Sequence, residues 1–140
     1  MPMDSERVSS AVESIVELLR RRLTGVQLVY LFGSSATGLN DSESDLDIAF
    51  LGADTLDGEL RYELLMEASS VVGCAVDLID LRVTSTVLMC QVLESGRLVY
   101  ESNPRFTAGF EVMILARYCA LTEERHELLD SIRQQGYIHA

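Results

Sequence analysis

The 140-residue sequence contains no lysine, so its 11 basic residues are all arginines. Without lysine, the chain cannot form a Schiff base, capture a nucleotide covalently on an amine, or build a phosphate-binding loop that needs a lysine side chain. Acidic residues number 22, and the formal net charge is −11. This excess of acid argues against extended contact with a nucleic-acid backbone, because such contact depends on dense positive charge. Small molecules or another protein are therefore the expected partners.

Cysteines and long apolar runs are also scarce. The three cysteines, Cys74, Cys90 and Cys119, are widely spaced and form no Cys-x-x-Cys pair, so we interpret them as reduced packing residues and not as a zinc site or a disulfide framework. No stretch approaches the roughly 18 consecutive apolar residues of a membrane-spanning helix. The first residues, MPMDSER, lack the basic and then apolar character of a secretory signal. We therefore expect a cytoplasmic protein.

The length and the 48% hydrophobic content favour one domain over residues 1–140, because the chain suffices for one core and divides poorly into two. The spacing of apolar residues predicts the order helix, strand, strand, helix, strand, helix, strand, helix. This order implies an α+β fold, in which a small mixed β-sheet is flanked by helices. The last segment, about 104–135, is expected to form one long helix or two.

Turn and capping residues indicate the bounds of these elements. Asp4 or Ser5 starts the first helix, Gly73 ends the second, and Thr84 or Ser85 caps the third. Runs of β-branched, aromatic and other apolar residues predict the strands. These are expected at 26–32, 45–51, about 75–81 and the short RLVY segment after Gly96.

The informative motif is FGSSATGLNDSESDLD, residues 32–47, in which Gly33-Ser34 is followed by ten residues and then by Asp45-Leu46-Asp47. On an extended strand, residues two apart project to the same side, roughly 6.5–7 Å apart at the backbone. The carboxylates of Asp45 and Asp47 can therefore converge on one point, where a divalent cation would offset their mutual repulsion. Hard oxygen donors of this kind suit magnesium or manganese.

A phosphate site is expected beside these acids. Gly33 and Ser34 lie where a strand ends and a short helix is predicted to start, so backbone N–H groups and the serine hydroxyl can point at phosphate oxygens. A phosphate cradle next to a metal pair provides what nucleotidyl or phosphoryl transfer requires, since this chemistry is mostly positioning and charge neutralisation.

A third acid on a later strand would complete a two-metal site. Asp77, in the segment AVDLIDL, is the first candidate because its apolar neighbours are expected to carry it into the sheet interior, where an unpaired carboxylate is costly. Asp80 is the fallback, since it lies nearer the strand end and is expected to be more exposed. On the opposing interpretation, these aspartates are solvated strand ends without a catalytic role.

This pattern resembles the polymerase-β-like nucleotidyltransferase superfamily, whose signature is Gly-Ser, a spacer, Asp-x-Asp and a third Asp on a later strand. The spacing and the small size are most similar to the minimal nucleotidyltransferase (MNT) antitoxins of the MntA type. The resemblance implies a polymerase-β-like fold and a magnesium-dependent protein adenylyltransferase. It also implies ATP as co-substrate and two Mg²⁺ ions, with Mn²⁺ as an alternative metal.

The resemblance assigns roles to the residues that match the family signature. By this resemblance, the three aspartates act in catalysis and metal binding, and the turn after the first strand binds the nucleotide. Two of the aspartates are ligands of both metal ions. The third aspartate is a ligand of the catalytic metal and helps to deprotonate the attacking hydroxyl. The nucleotide-binding residues are Gly33, Ser34 and Ser35; the two shared metal ligands are Asp45 and Asp47; the third acid is Asp77.

The same resemblance implies a partner. MNT antitoxins are typically encoded beside a HEPN-domain ribonuclease toxin of the HepT type, which they neutralise by transferring AMP to a toxin tyrosine. A hetero-oligomeric complex with such a toxin is expected, without direct binding to nucleic acid or membrane. Two alternatives stay open: transfer to a small molecule, as in aminoglycoside nucleotidyltransferases, and a non-catalytic antitoxin that masks its partner by binding.

On the last helix, Phe106, Phe110, Met113 and Arg117 form either a docking stripe or part of the core.

The sequence departs from many relatives in one respect. Where those carry an arginine shortly after Gly-Ser, this chain has Ser35, Ala36 and Thr37. The charge of a triphosphate must then be met by magnesium, by backbone N–H groups, or by a distant arginine such as Arg61 or Arg82.

Overall fold

The computed structural model describes residues 5–33 and 46–135, which form a four-stranded mixed sheet with helices on both faces. In chain order the elements are α1 (Ser5–Arg22), β1 (Leu28–Phe32), β2 (Leu46–Leu51), α2 (Gly58–Val72), β3 (Val76–Asp80), α3 (Thr86–Ser95), β4 (Arg97–Glu101) and α4 (Pro104–Gln134). The predicted α+β class and order of elements are confirmed over these residues. None of the helices in the described ranges has the length and apolar character to span a membrane.

The strands lie side by side in the order β3, β2, β1, β4. Strand β1 pairs antiparallel with both β2 and β4, whereas β2 and β3 run parallel and are joined through α2. The amino-terminal ends of β2 and β3 therefore lie beside the carboxyl-terminal end of β1. We call this end of the sheet the aspartate end, because Asp47 and Asp77 lie there.

Two apolar layers cover the two faces of the sheet. Helices α1 and α2 pack on one face, and the buried side chains there include Ile15, Leu19, Leu31, Ile48 and Leu64. Helices α3 and α4 pack on the other face, and the buried side chains there include Tyr30, Ala49, Met89, Phe110 and Ile114. Because both faces of β1 and β2 are covered, these strands do not alternate between apolar and polar residues, and Asp47 is the one charged residue in them.

Local signals determine where the helices begin and end. The Asp57 side chain caps α2 by accepting a 2.7 Å hydrogen bond from the Leu60 amide. Gly73 ends α2 with a φ of +73°, as predicted from the sequence. The predicted cap Ser85 accepts a 3.2 Å hydrogen bond from the Leu88 amide at the start of α3.

Helix α4 is one continuous helix of 31 residues, which decides between the two predicted alternatives. Its first part packs on the sheet, and Phe110 is buried there, so that residue belongs to the core and not to a docking stripe. Met113 and Arg117 lie on the exposed side. The expectation that all three cysteines pack in apolar surroundings is wrong for Cys119, which is exposed because α4 has already left the sheet at that point.

Candidate active site

Asp47 and Asp77 lie side by side at the aspartate end. They are register partners in the parallel pair of β2 and β3, and neighbouring strands are ~4.8 Å apart. Paired residues on adjacent strands project to the same face of a sheet. For Asp47 that face is the one shared with Ala49, which is covered by α3 and α4. The two side chains therefore lie next to each other on one face, close to where each strand begins.

Gly33 is the first residue after β1, and it lies beside Asp47. Phe32, the last residue of β1, is the register partner of Asp47, so the chain turns at Gly33 next to that carboxylate. Gly33 has a φ of +74°, in the left-handed region that glycine adopts most readily. The predicted end of the first strand at Gly33 is confirmed, and its turn adjoins the paired aspartates.

The side chains present at this end fit a divalent cation. Two carboxylates on one face offer the hard oxygen donors that Mg²⁺ and Mn²⁺ prefer, and Asp77 is exposed to solvent. Within residues 5–33 and 46–135, no three acidic, histidine or cysteine side chains come together as a complete metal site. Asp45, which is predicted to share both metals with Asp47, lies outside the described residues, as do Ser34 and Ser35 of the predicted phosphate site.

The predicted burial of Asp77 and the predicted exposure of Asp80 are both wrong. Asp77 is exposed, whereas Asp80 is only 4% exposed. Side chains alternate between faces along a strand, so the apolar neighbours Val76 and Leu78 point to the face opposite Asp77 and do not carry it inward. The Asp80 carboxylate accepts hydrogen bonds from the amides of Leu56 at 3.3 Å and Arg82 at 2.9 Å. Asp80 is thus a structural residue.

The two arginines considered for the triphosphate contact different parts of the structure. Arg82 follows β3 at the end opposite Asp77, and its Nε donates a 2.7 Å hydrogen bond to the Gly52 carbonyl oxygen. Arg61 lies at the outer edge of β3, where its Nη2 donates a 2.7 Å hydrogen bond to the Leu78 carbonyl oxygen. Because Leu78 directly follows Asp77, Arg61 is the nearer of the two arginines to the paired carboxylates.

Arg97 is a basic residue at the aspartate end that the sequence analysis missed. It begins β4, is exposed, and pairs with Leu31, one residue before the end of β1. The preceding Gly96 lies against Phe32, so close that a Cβ at position 96 would be 3.3 Å from the Phe32 Cβ. The sequence predicts that a strand starts after Gly96. It does not show at which end of the sheet that strand starts.

Helix α4 leaves the sheet toward the aspartate end. It starts after β4, whose last residue Glu101 pairs with Leu28 at the opposite end. From there α4 runs back along the face that carries Tyr30, whose hydroxyl donates a 2.6 Å hydrogen bond to Glu111 Oε1. Past its packed part, residues 115–134 project for ~30 Å at 1.5 Å per residue. We call these residues the α4 extension.

The sheet, the glycine turn and the paired aspartates together define a class of protein. A family model described as "Polymerase beta, Nucleotidyltransferase" matches residues 13–105, a range that contains all four strands and both aspartates. The chain belongs to the polymerase beta nucleotidyltransferase family and is a nucleotidyltransferase, which confirms the resemblance drawn from the motif.

Individual relatives narrow this class. The chain is 40% identical to protein adenylyltransferase MntA of Shewanella oneidensis over 118 residues, which is 84% of each chain. A crystal structure of a toxin-antitoxin with AMP-PNP matches with a TM-score of 0.78 and 39% identity, over 86% of this chain and 97% of that one. A structure of a tri-AMPylated Shewanella oneidensis HEPN toxin in complex with MNT antitoxin matches with a TM-score of 0.75 and 36% identity, over 90% and 98%.

Proposed function

We propose that this chain transfers AMP from ATP to a tyrosine hydroxyl of a cognate HEPN-domain toxin and thereby neutralises the toxin. The similarity to a protein adenylyltransferase supports the adenylyl group, and the relative bound to a tri-AMPylated HEPN toxin supports the acceptor. The relative solved with AMP-PNP supports ATP as the nucleotide. The observation that carries the proposal is the pairing of Asp47 with Asp77 beside the Gly33 turn.

Divalent metal would be held by the carboxylates of the aspartate end. Asp47 and Asp77 are assigned as ligands on their shared face. Asp45 is assigned as a further ligand, and two Mg²⁺ ions are the expected complement. The bound metal supplies neutralisation of the triphosphate charge and polarisation of the phosphoryl oxygens. Residues 33–35 are assigned to the phosphates, through backbone N–H groups and serine hydroxyls.

The transfer is a displacement at the α-phosphorus of ATP. The tyrosine oxygen forms a bond to this phosphorus while the bond to the oxygen bridging the α- and β-phosphates breaks, and pyrophosphate leaves. We assign Asp77 to accept the proton of the tyrosine hydroxyl, because its exposed carboxylate is accessible to an acceptor arriving from solvent. Asp47 is half-buried between β1 and β3 and is assigned to orient the nucleotide.

The α4 extension favours a protein acceptor over a small molecule. It exposes Leu115, Tyr118, Leu121 and Leu128 at helical spacing, and Leu128 is 61% exposed. A helical segment without tertiary contacts is only marginally stable in water, so a bound protein would stabilise the extension. Exposed apolar stripes of this kind often mark protein interfaces. Since the extension projects from the aspartate end, a protein bound along it would lie next to the paired carboxylates.

The proposed setting is a hetero-oligomeric complex with the toxin in the cytoplasm, where ATP and Mg²⁺ are both present. The net charge of −11 disfavours RNA as a direct partner of this chain. The same charge suits a ribonuclease, because a protein that binds RNA presents a positively charged surface. Electrostatic attraction between the two proteins would then accelerate their association.

The proposal is tested by intact-mass spectrometry of the toxin encoded beside this gene, after incubation with the full chain, ATP and Mg²⁺. The expected result is a toxin that gains the mass of one or more AMP groups. Asp47→Asn and Asp77→Asn should each slow this transfer by at least ~100-fold, as expected for loss of groups that stabilise developing charge, while the proteins still bind each other. Asp54→Asn is the matched control, because Asp54 is exposed beyond the opposite end of β2.

Two outcomes would contradict the proposal. A toxin that is neutralised while its mass stays unchanged would establish masking by binding instead of catalysis. A transfer rate that survives Asp47→Asn and Asp77→Asn would remove the assignment of the site, even if AMP is transferred.

A further inference from the structure

The turn at Gly33 combines a positive φ with a neighbouring side chain that stands where its own Cβ would be. Gly33 has a positive φ of +74°, as do Gly25 at +64° and Gly73 at +73°. Gly33 differs from Gly73 in its surroundings, since a Cβ built on Gly73 meets nothing within 4 Å. A Cβ on Gly33 would meet the side chain of Asp47. The absence of a side chain at Gly33 therefore matters to a neighbour and not only to its own backbone.

The neighbour in question is the carboxylate proposed to bind metal. A Cβ at position 33 would overlap Asp47 Oδ2, and it would lie 3.1 Å from Asp47 Cγ and 3.4 Å from Asp47 Cβ. Carbon atoms in favourable contact are ~3.5–4.0 Å apart. The Asp47 carboxylate thus occupies the volume that any other residue at position 33 would take with its own side chain.

The backbone of Asp47 has little freedom to relieve this overlap. It is paired with Phe32 on one side and with Asp77 on the other, in the interior of the sheet. The three atoms nearest to the added Cβ all belong to the Asp47 side chain. A substitution at Gly33 would therefore act by turning the Asp47 carboxylate about its χ1 angle, and would move it away from its position beside Asp77.

We propose that Gly33 is a positioning residue for Asp47: by lacking a Cβ, it lets the carboxylate occupy the rotamer that converges with Asp77. This inference rests on the proposed function in so far as the two carboxylates bind a divalent cation. According to this inference, Gly33 affects the affinity for metal even when no nucleotide is bound. A role limited to phosphate contact would leave metal binding in the absence of nucleotide unchanged.

The test compares Gly33→Ala with Gly73→Ala in the full chain. Both substitutions place alanine at nearly the same positive φ, so both impose the same left-handed strain, but only the first adds a Cβ against Asp47. Binding of Mn²⁺ without nucleotide is measured by electron paramagnetic resonance. We expect Gly33→Ala to weaken Mn²⁺ binding at least tenfold, and Gly73→Ala to leave it within twofold of the unsubstituted chain.

A second measurement does not need the metal. Three-bond NMR couplings report the χ1 rotamer of Asp47, which should change in Gly33→Ala and stay unchanged in Gly73→Ala. If Gly33→Ala does not fold, the test uses Gly33→Asn instead, and Gly73→Asn becomes the control. Asparagine tolerates a positive φ better than alanine and still carries a Cβ.

The possible results separate the two proposals. An unchanged Asp47 rotamer, or unchanged Mn²⁺ affinity in a chain that binds Mn²⁺, would overturn the role of Gly33. Failure of the unsubstituted chain to bind Mn²⁺, even with ATP present, would count against the proposed function. In that case the rotamer measurement still decides whether Gly33 positions Asp47.

Discussion

The hydroxyl of Tyr30 donates a 2.6 Å hydrogen bond to Glu111, and this bond joins the central strand β1 to helix α4. Tyr30 is only 2% exposed. Its burial, and then the hydrogen bond and negative charge of Glu111, raise the pKa of Tyr30 well above its ordinary value. The pair fixes where α4 crosses the sheet, and therefore the direction in which the α4 extension leaves it.

Replacing Tyr30 by phenylalanine should destabilise the fold. The substitution removes the hydroxyl and leaves the Glu111 carboxylate without its donor, and hydrogen bonds to charged groups contribute about 1.5–3 kcal/mol. We expect the free energy of unfolding, measured with urea, to fall by about that amount. Tyr62→Phe is the control, because Tyr62 is 63% exposed. Removing the Tyr62 hydroxyl should change the free energy of unfolding by less than about 0.5 kcal/mol. Equal stabilities of the two variants would contradict the role of the buried bond.

The raised pKa of Tyr30 predicts a loss of stability in alkaline solution. Below pH ~10, the ordinary tyrosine pKa, Tyr30 is neutral in both the folded and the unfolded chain, and its contribution is fully present. Above that pH the unfolded chain ionises while folded Tyr30 stays neutral, so the contribution decreases as the pH rises. Urea unfolding from pH ~8 to ~11 should show a smaller decline for Tyr30→Phe than for the unsubstituted chain. Parallel declines would contradict this prediction.

Asp80 should prove to be a residue for stability and not for metal binding. Its buried carboxylate accepts hydrogen bonds from the amides of Leu56 and Arg82, and an unsatisfied buried group costs about 1–3 kcal/mol. Asp80→Ala should lower the free energy of unfolding by that amount and leave Mn²⁺ affinity of the folded chain within twofold. Asp77→Ala is the comparison, since it should weaken Mn²⁺ binding and cost little stability. The reverse pattern would return Asp80 to the metal site.

The apolar residues of the α4 extension should contribute to partner binding and not to folding. Leu121→Ala and Leu128→Ala remove exposed side chains, so the isolated chain should keep its stability within about 0.5 kcal/mol. Each should weaken the complex with the toxin by about 1–2 kcal/mol if it lies in the core of the interface, as measured by isothermal titration calorimetry. The control is Glu123→Ala, on another side of the same helix. Unchanged binding by both leucine variants would mean that the toxin docks elsewhere.

Much of the fold was predictable from local signals. Apolar spacing identified the elements and their order, while Gly73 and Ser85 marked helix ends that depend on only a few neighbouring residues. The motif also located the end of β1 at Gly33, because glycine commonly follows a strand where the chain turns. The burial of Asp77 and Asp80 was mispredicted, since apolar flanks on a strand indicate the burial of the opposite face and not of the residue between them.

The sequence by itself determined the chemical groups of the site, the order of helices and strands, and the spacing that identifies a nucleotidyltransferase. These depend on residue type and on contacts within a few residues. Only the tertiary structure decided that Asp47 pairs with Asp77, that Arg97 lies at the aspartate end, and that α4 projects past it. Such relationships depend on which strands pair and in which register, and that choice is made by the packing of residues far apart in the chain.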